Sequence, residues 1–316
     1  MKHRILLLIF FFSPFSLFAE KNLSVSPYFS IKSGTLYEYL YSSENSNNEV
    51  SLLEWDYSQL YCLGLKTSFE NKNAEFYFGF DFALPLECGN MYDSDYFYKN
   101  GIKNKCNYSS SNNYSKLIFN SIFGANYRFS FFERLSITPE FQLQYTFAKF
   151  KAQNGHGRYG RAPYSKTGTD VNWDSEDAKI ISKLYGCEFY RHNLYTWTGL
   201  TLSYDFTNKF NAGLGFFLSP FSYTYSVDHH LNKPTYDTYL KMEGHGNLSK
   251  FKYKLFSNTS INHNLILYTH IEFITGNTDK GISKIADFTE KYYPLDQKNG
   301  ANIKQTDFTI GFKIVL

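Results

Sequence analysis

The chain has 316 residues, a formal net charge of +3, 19% charged residues and 20% aromatic residues, among them 28 Tyr and 32 Phe. That is less charge and more ring surface than an ordinary soluble domain carries, and so slight a positive balance gives no reason to expect a nucleic-acid partner. After residue 21 no run of 18 apolar residues occurs, which excludes a helical membrane protein, whereas abundant Tyr and Phe suit the aromatic girdles of a transmembrane β-barrel.

Lys2, His3 and Arg4 open the chain, and Ile5 to Phe12 is an unbroken apolar run that continues with small interruptions to Phe18. A basic start before a short apolar stretch is the pattern of a secretory signal, with Ala19 before the cut, although Leu17 stands where a small residue is usual. The expected division is a signal peptide over 1–19 and one barrel domain over 20–316. Export also bears on Cys62, Cys88, Cys106 and Cys187. An even count permits disulfides, and Cys88 and Cys106 flank one loop and could pair; four free thiols is the other reading.

Beyond the signal, apolar and polar residues alternate in long segments. In the last of them Phe308, Ile310, Phe312, Ile314 and Leu316 recur at every second position, and a period of two sends one set outward and the other inward. Leu265, Leu267, Ile271 and Phe273 share a face in the same way, with His270 and Glu272 opposite. The pattern predicts an all-β, ten-stranded antiparallel transmembrane barrel with strands near 25–42, 50–69, 74–90, 113–130, 135–155, 177–204, 208–226, 235–256, 263–276 and 303–316. Short links near 71–73, 131–134, 207–209 and 258–262 alternate with long ones over 43–49, 91–112, 156–176, 227–234 and 277–302. Short periplasmic turns and long extracellular loops produce that alternation. These strands exceed the 9–11 residues a crossing needs, so the barrel should rise above the bilayer as a polar upper wall.

Two segments at the long-loop end carry chemistry. The first is Gly89-Asn90-Met91-Tyr92-Asp93-Ser94-Asp95-Tyr96 after the third strand, where Asp93 and Asp95 share a side. Two close carboxylates repel, so one tends to keep a proton and the pair can hold a water. A solvated acidic loop or half a calcium site is the plainer reading of these residues alone. The second is Ser226-Val227-Asp228-His229-His230 after the seventh strand. A carboxylate two residues from an imidazole fixes its tautomer and raises its basicity, which makes His230 a candidate general base. A loop histidine or incidental metal ligand is the plainer alternative there.

Taken together, Gly-Asn-Met-x-Asp-x-Asp followed by an aromatic, and Asp-x-His after the seventh strand, resemble the omptin family of outer-membrane endopeptidases. Gly34, Glu38, Leu40 and Tyr41 match the family's first strand, and Val50, Ser51, Leu53, Glu54 and Trp55 its second. The Lys149 to Ala152 tract and the run from Leu194 to Tyr204 sit in corresponding places. The resemblance implies an Asp/Asp couple and an Asp/His couple facing each other across a groove, with a water between them attacking the peptide carbonyl. His230 would take the water's proton, Asp228 would orient His230, Asp93 would hold the water, and Asp95 would share a proton or hydrogen bond with Asp93. It further implies no metal and no covalent intermediate, a polypeptide substrate, outer-membrane lipid as partner with a lipopolysaccharide requirement, a monomer, and a site facing outside. Cleavage beside basic residues is implied too, with Glu38 as a substrate-binding acid. The family's second such acid is replaced by Ser226, and Leu316 stands where a terminal aromatic is usual. The alternative is a non-catalytic barrel, an adhesin or a pore. A lipid hydrolase would need a Ser beside a His in the wall, and Ser94 is expected to point away from the aspartates.

Overall fold

The computed structural model describes residues 23–45, 47–162, 164–184, 186–231, 238–286 and 292–316, so the expected signal segment lies outside the described residues. Alternating β-branched and aromatic residues give strands throughout: β1 (Leu23–Tyr41), β2 (Glu49–Asn71), β3 (Ala74–Ala83), β4 (Glu87–Lys99), β5 (Ile102–Tyr127), β6 (Phe129–Phe131), β7 (Leu135–Tyr159), β8 (Lys179–Leu184), β9 (Cys187–Thr207), β10 (Phe210–His230), β11 (Thr238–Gly246), β12 (Lys250–Asn262), β13 (Leu265–Gly276), β14 (Asp279–Ala286) and β15 (Tyr292–Val315). Among the described residues no helix is long and apolar enough to cross a membrane.

Pairing runs from β1 to β2, then to β3 and β4, β5, β7, β9, β10, β11 and β12, β13 and β14, and β15, which returns to β1. β3 and β4 are one wall strand interrupted around Pro85, which has no N–H to give a ladder. β11 with β12 and β13 with β14 are likewise single wall strands, interrupted at 247–249 and 277–278, while β6 and β8 are short additions to β7. The ring therefore has the ten wall positions expected, all antiparallel, and closure leaves no open edge. The register from Ser24↔Val315 to Leu40↔Asn299 forms the seam.

Near the short turns the outward residues are large and apolar, such as Phe76, Phe78, Phe123, Leu200, Leu214 and Phe312, at 44–57% exposure. The inward face there is polar. It surrounds a cavity of about 550 Å³ lined by charged groups that include Lys32, Lys66, Glu75, Asp81, Glu272 and Asp307. Lys32 Nζ lies 2.5 Å from Asp81 Oδ1, so charges buried in the wall are paired as their desolvation demands. Above this well the lumen fills with rings. Trp55 and Phe189 stack at 4.7 Å, Tyr57 and Phe150 at 5.9 Å, and all four are at most 3% exposed.

Several boundaries differ from expectation, mostly because strands extend into the expected long links. The link over 91–112 is a strand pair, β4 and β5, closed by Asn100 and Gly101 with φ of 53° and 78°. Asn-Gly suits a two-residue turn because both positions tolerate positive φ. β10 continues through His230, and β15 begins at Tyr292 instead of near 303. The strand expected over 177–204 is two elements, β8 and β9, both against β7, and the turn expected over 258–262 falls at 263–264. The upper walls were missed because their inward residues are small and polar (Ser109, Ser111, Asn113), so the apolar rhythm fades there. All four cysteines are free and buried. Cys88 Sγ reaches the Asn113 carbonyl and Cys106 Sγ the Asp95 carbonyl, which puts the candidate disulfide partners at opposite ends of one hairpin.

Candidate active site

Both chemistry-bearing segments lie inside strands, which fixes where their side chains point. On β4, Leu53 and Ser51 of β2 stand opposite Asp93 and Asp95, while Ser109 and Asn107 of β5 flank them on the other side. Buried Leu53 belongs to the inward set of β2, so both aspartates face the lumen. Ser94 alternates to the other face, as expected. Asn107 Nδ2 donates to Asp95 Oδ2 at 2.8 Å. The Asn107 Oδ1 of the same side chain accepts the Arg161 backbone N–H at 3.1 Å, tying the link after β7 to this couple.

On β10 the inward series is Ser222, Thr224, Ser226, Asp228 and His230. His230 Nε2 lies 2.6 Å from Asp228 Oδ2, with Asp228 fully buried and the imidazole about one quarter exposed (26%). The Cys187 Sγ, opposite His230 in the β9–β10 ladder, donates to Asp228 Oδ1. Burial and the Asp228 carboxylate push this thiol well above its ordinary pKa, so it stays a neutral donor. Cys187, Asp228 and His230 bring their ligand atoms within 4.8 Å of one another, a donor set that could hold a soft divalent cation.

From β4 the ring passes through β5, β7 and β9 before it reaches β10, so the couples occupy facing walls. Their charges feel each other. Burial, then the neighbouring Asp95, push Asp93 up to about 8, while His230 pulls the other way. Burial works against the His230 imidazolium, but Asp228, with Asp93 and Glu38 beyond, outweighs it and holds the group up at about 9. A proton is therefore held at the cleft from both sides near neutral pH.

The sequence profile described as the Omptin family matches residues 19–316. The chain belongs to the omptin family. Among solved structures, the Escherichia coli outer membrane protease OmpT superposes with a TM-score of 0.78 at 16% identity, covering 95% of this chain and 98% of that one. The Ralstonia pickettii toluene transporter TbuX gives a TM-score of 0.35 at 8% identity, over 94% of this chain and 90% of that one. No curated protein matches the chain. Family membership supports an outer-membrane protease, and the OmpT superposition carries the ten-strand fold.

This omptin has a layer beneath the couples that sequence reasoning read only in part. Glu38 is 1% exposed, and its Oε1 accepts the Ser226 hydroxyl at 2.5 Å. Arg191, equally buried, sets Nη2 3.5 Å from the same oxygen. Burial raises the Glu38 carboxyl to about 7 against the pull of Arg191. Arg191 and Asn107 are not singled out by the sequence, and Cys187 is named there only as one of four cysteines that could form disulfides. Arg191 had a signal: it is the one charge in the inward series Cys187, Phe189, Arg191, Asn193, Tyr195, Trp197. Asn107 and Cys187 had none, because their importance lies in cross-strand register.

Proposed function

We propose that this omptin is an outer-membrane endopeptidase, with its cleft on the outside, that cleaves peptide bonds by direct attack of water. In this reading His230 removes a proton from the water as Asp228 holds and charge-balances the imidazole, and then passes that proton to the amine nitrogen as the C–N bond breaks. Asp93 grips the water from the facing wall. Asp95, held by Asn107, shares the Asp93 proton, and the protonated couple stabilises negative charge that develops on the carbonyl oxygen. The Cys187 thiol donates to Asp228 and keeps it from rotating away from His230. The observation that carries the proposal is geometric: the Asp93/Asp95 couple on β4 and the Asp228/His230 couple on β10 face the lumen from opposite walls, with His230 Nε2 2.6 Å from Asp228 Oδ2. The pore alternative would need an open lumen, and the ring layer of Trp55, Tyr57, Phe150 and Phe189 counts against it. The expected preference for basic residues has weaker support, because the one matched acid, Glu38, already faces Arg191.

The test is turnover of fluorogenic peptides by the purified barrel, reconstituted with and without lipopolysaccharide. Wild-type protein should cleave, and His230→Ala should be slower by about 10²–10⁴-fold with its fold intact by circular dichroism. Equal rates for the two would eliminate the mechanism. Complete loss of activity with a serine-directed reagent would also do so.

A further inference from the structure

We infer that Arg191 sets the specificity of the cleft, so that the enzyme takes uncharged polar side chains, carboxamides above all, and rejects Arg and Lys. This rests on the endopeptidase reading above. A substrate side chain that descends between the couples meets the layer formed by Glu38, Ser226 and Arg191. Ser226 is two residues below Asp228 on the same face of β10, and it bonds directly to Glu38. Arg191 stands opposite Ser226 in the β9–β10 register.

The Arg191 side chain is fixed. Its Nη2 donates to the Tyr37 carbonyl at 2.8 Å and its Nη1 to the Asn302 carbonyl at 3.0 Å. Its guanidinium carbon lies 5.2 Å from the centre of the Phe189 ring. Swinging aside would strand two carbonyls and break that contact, so the guanidinium stays in the layer. The layer then holds one carboxyl against one permanent cation, and Ser226 contributes a hydroxyl but no charge. An incoming guanidinium or ammonium would sit beside Arg191 in a buried, weakly screened place with no free negative charge to meet it.

What the layer lacks is neutral. Among the described residues, Glu38 Oε2 and Arg191 Nε are buried without a hydrogen-bond partner. One is an acceptor and the other a donor. A side-chain carboxamide offers a donor for the one and an acceptor for the other without bringing charge. A substrate that leaves both atoms unmet pays for it in the transition state, which is how polar sites discriminate strongly.

The experiment profiles the cut sites of the full barrel on a peptide library by mass spectrometry, with His230→Ala as blank. The expected result is kcat/KM at least about tenfold higher beside Gln or Asn than beside Arg or Lys. Ser226→Asp, which adds a carboxylate and leaves the Arg191 tether alone, should raise the rate beside Arg and Lys. Arg191→Leu combined with Ser226→Asp should reverse the preference. Wild-type cleavage favouring Arg or Lys would overturn the inference and leave the endopeptidase reading standing. An unchanged profile in a folded Ser226→Asp protein would overturn it too. No cleavage of any peptide that exceeds the blank would sink both readings.

Discussion

At the scale of single residues, the cleft is tuned by what each titrating group faces. His230 must be neutral to accept a proton, yet Asp228 holds its pKa up at about 9. Asp93 must keep its proton to assist the carbonyl oxygen, and it keeps it up to about 8. The sign follows directly. Lowering the pH protonates a growing share of His230 and slows the reaction, whereas raising it past the Asp93 value removes the shared proton. The two groups titrate as a coupled pair. The pH profile of kcat/KM should therefore rise from neutrality, peak in the mildly alkaline range between these values, and fall beyond it. An optimum on the acid side of neutrality would contradict the assigned roles. These residues also show how much of the site was legible in advance. Asp93, Asp95, Asp228 and His230 stand out through the resemblance of the two segments to omptin motifs; the spacing alone, two residues apart on a strand, leaves a plainer reading open for each couple. Arg191 and Cys187 act on residues of other strands, and no local pattern announces a cross-strand or cross-lumen partner.

At the scale of elements, several strand pairs are keyed by a tyrosine over a glycine. Tyr28 of β1 covers Gly64 of β2, Tyr77 of β3 covers Gly124 of β5, and Tyr268 of β13 covers Gly311 of β15. In each, a Cβ added to the glycine would fall within the facing ring. Gly124→Val must displace Tyr77, which also gives its hydroxyl hydrogen bond to Glu140. Overpacking of this kind costs about 1–3 kcal/mol, so the variant should melt at a lower temperature by circular dichroism, and its residual folded fraction should keep the wild-type cleavage profile. An unchanged melting temperature would show that the ring is free to move. Legibility at this scale was uneven. Short turns with Asn, Lys or Arg were read nearly in place, because apolar alternation stops abruptly there. The upper halves of the strands resemble loops in sequence, because Ser, Asn and Gly on an inward polar face have loop composition. The Asn100–Gly101 turn was the available clue that 91–112 is a hairpin.

For the whole molecule, alternation alone was enough to give the ten wall positions, since an apolar belt facing lipid enforces a period of two over long stretches. It could not tell what fills the lumen, because Trp and Phe serve the lipid face and the interior equally well. The interior has two compartments. The charged well near the short turns is lined by none of the four acid/base residues, and the packed rings of Trp55, Tyr57, Phe150 and Phe189 lie between it and the cleft. Purified protein in a planar bilayer should consequently give no stepwise ionic current. Discrete open levels from the wild type would mean that the ring layer parts and would revive the pore reading.

The reach of Arg191 has a further consequence. The two carbonyls that it grips belong to Tyr37 and Asn302, which are register partners across the seam where β15 meets β1. The guanidinium thus finds both its anchors only after the circle has been completed by its first and last strands. A barrel caught during insertion, with that joint still open, would have a loose cation and a different appetite. Selectivity in this enzyme would then be acquired with maturation, and a half-assembled chain could not be trusted to choose the same bonds.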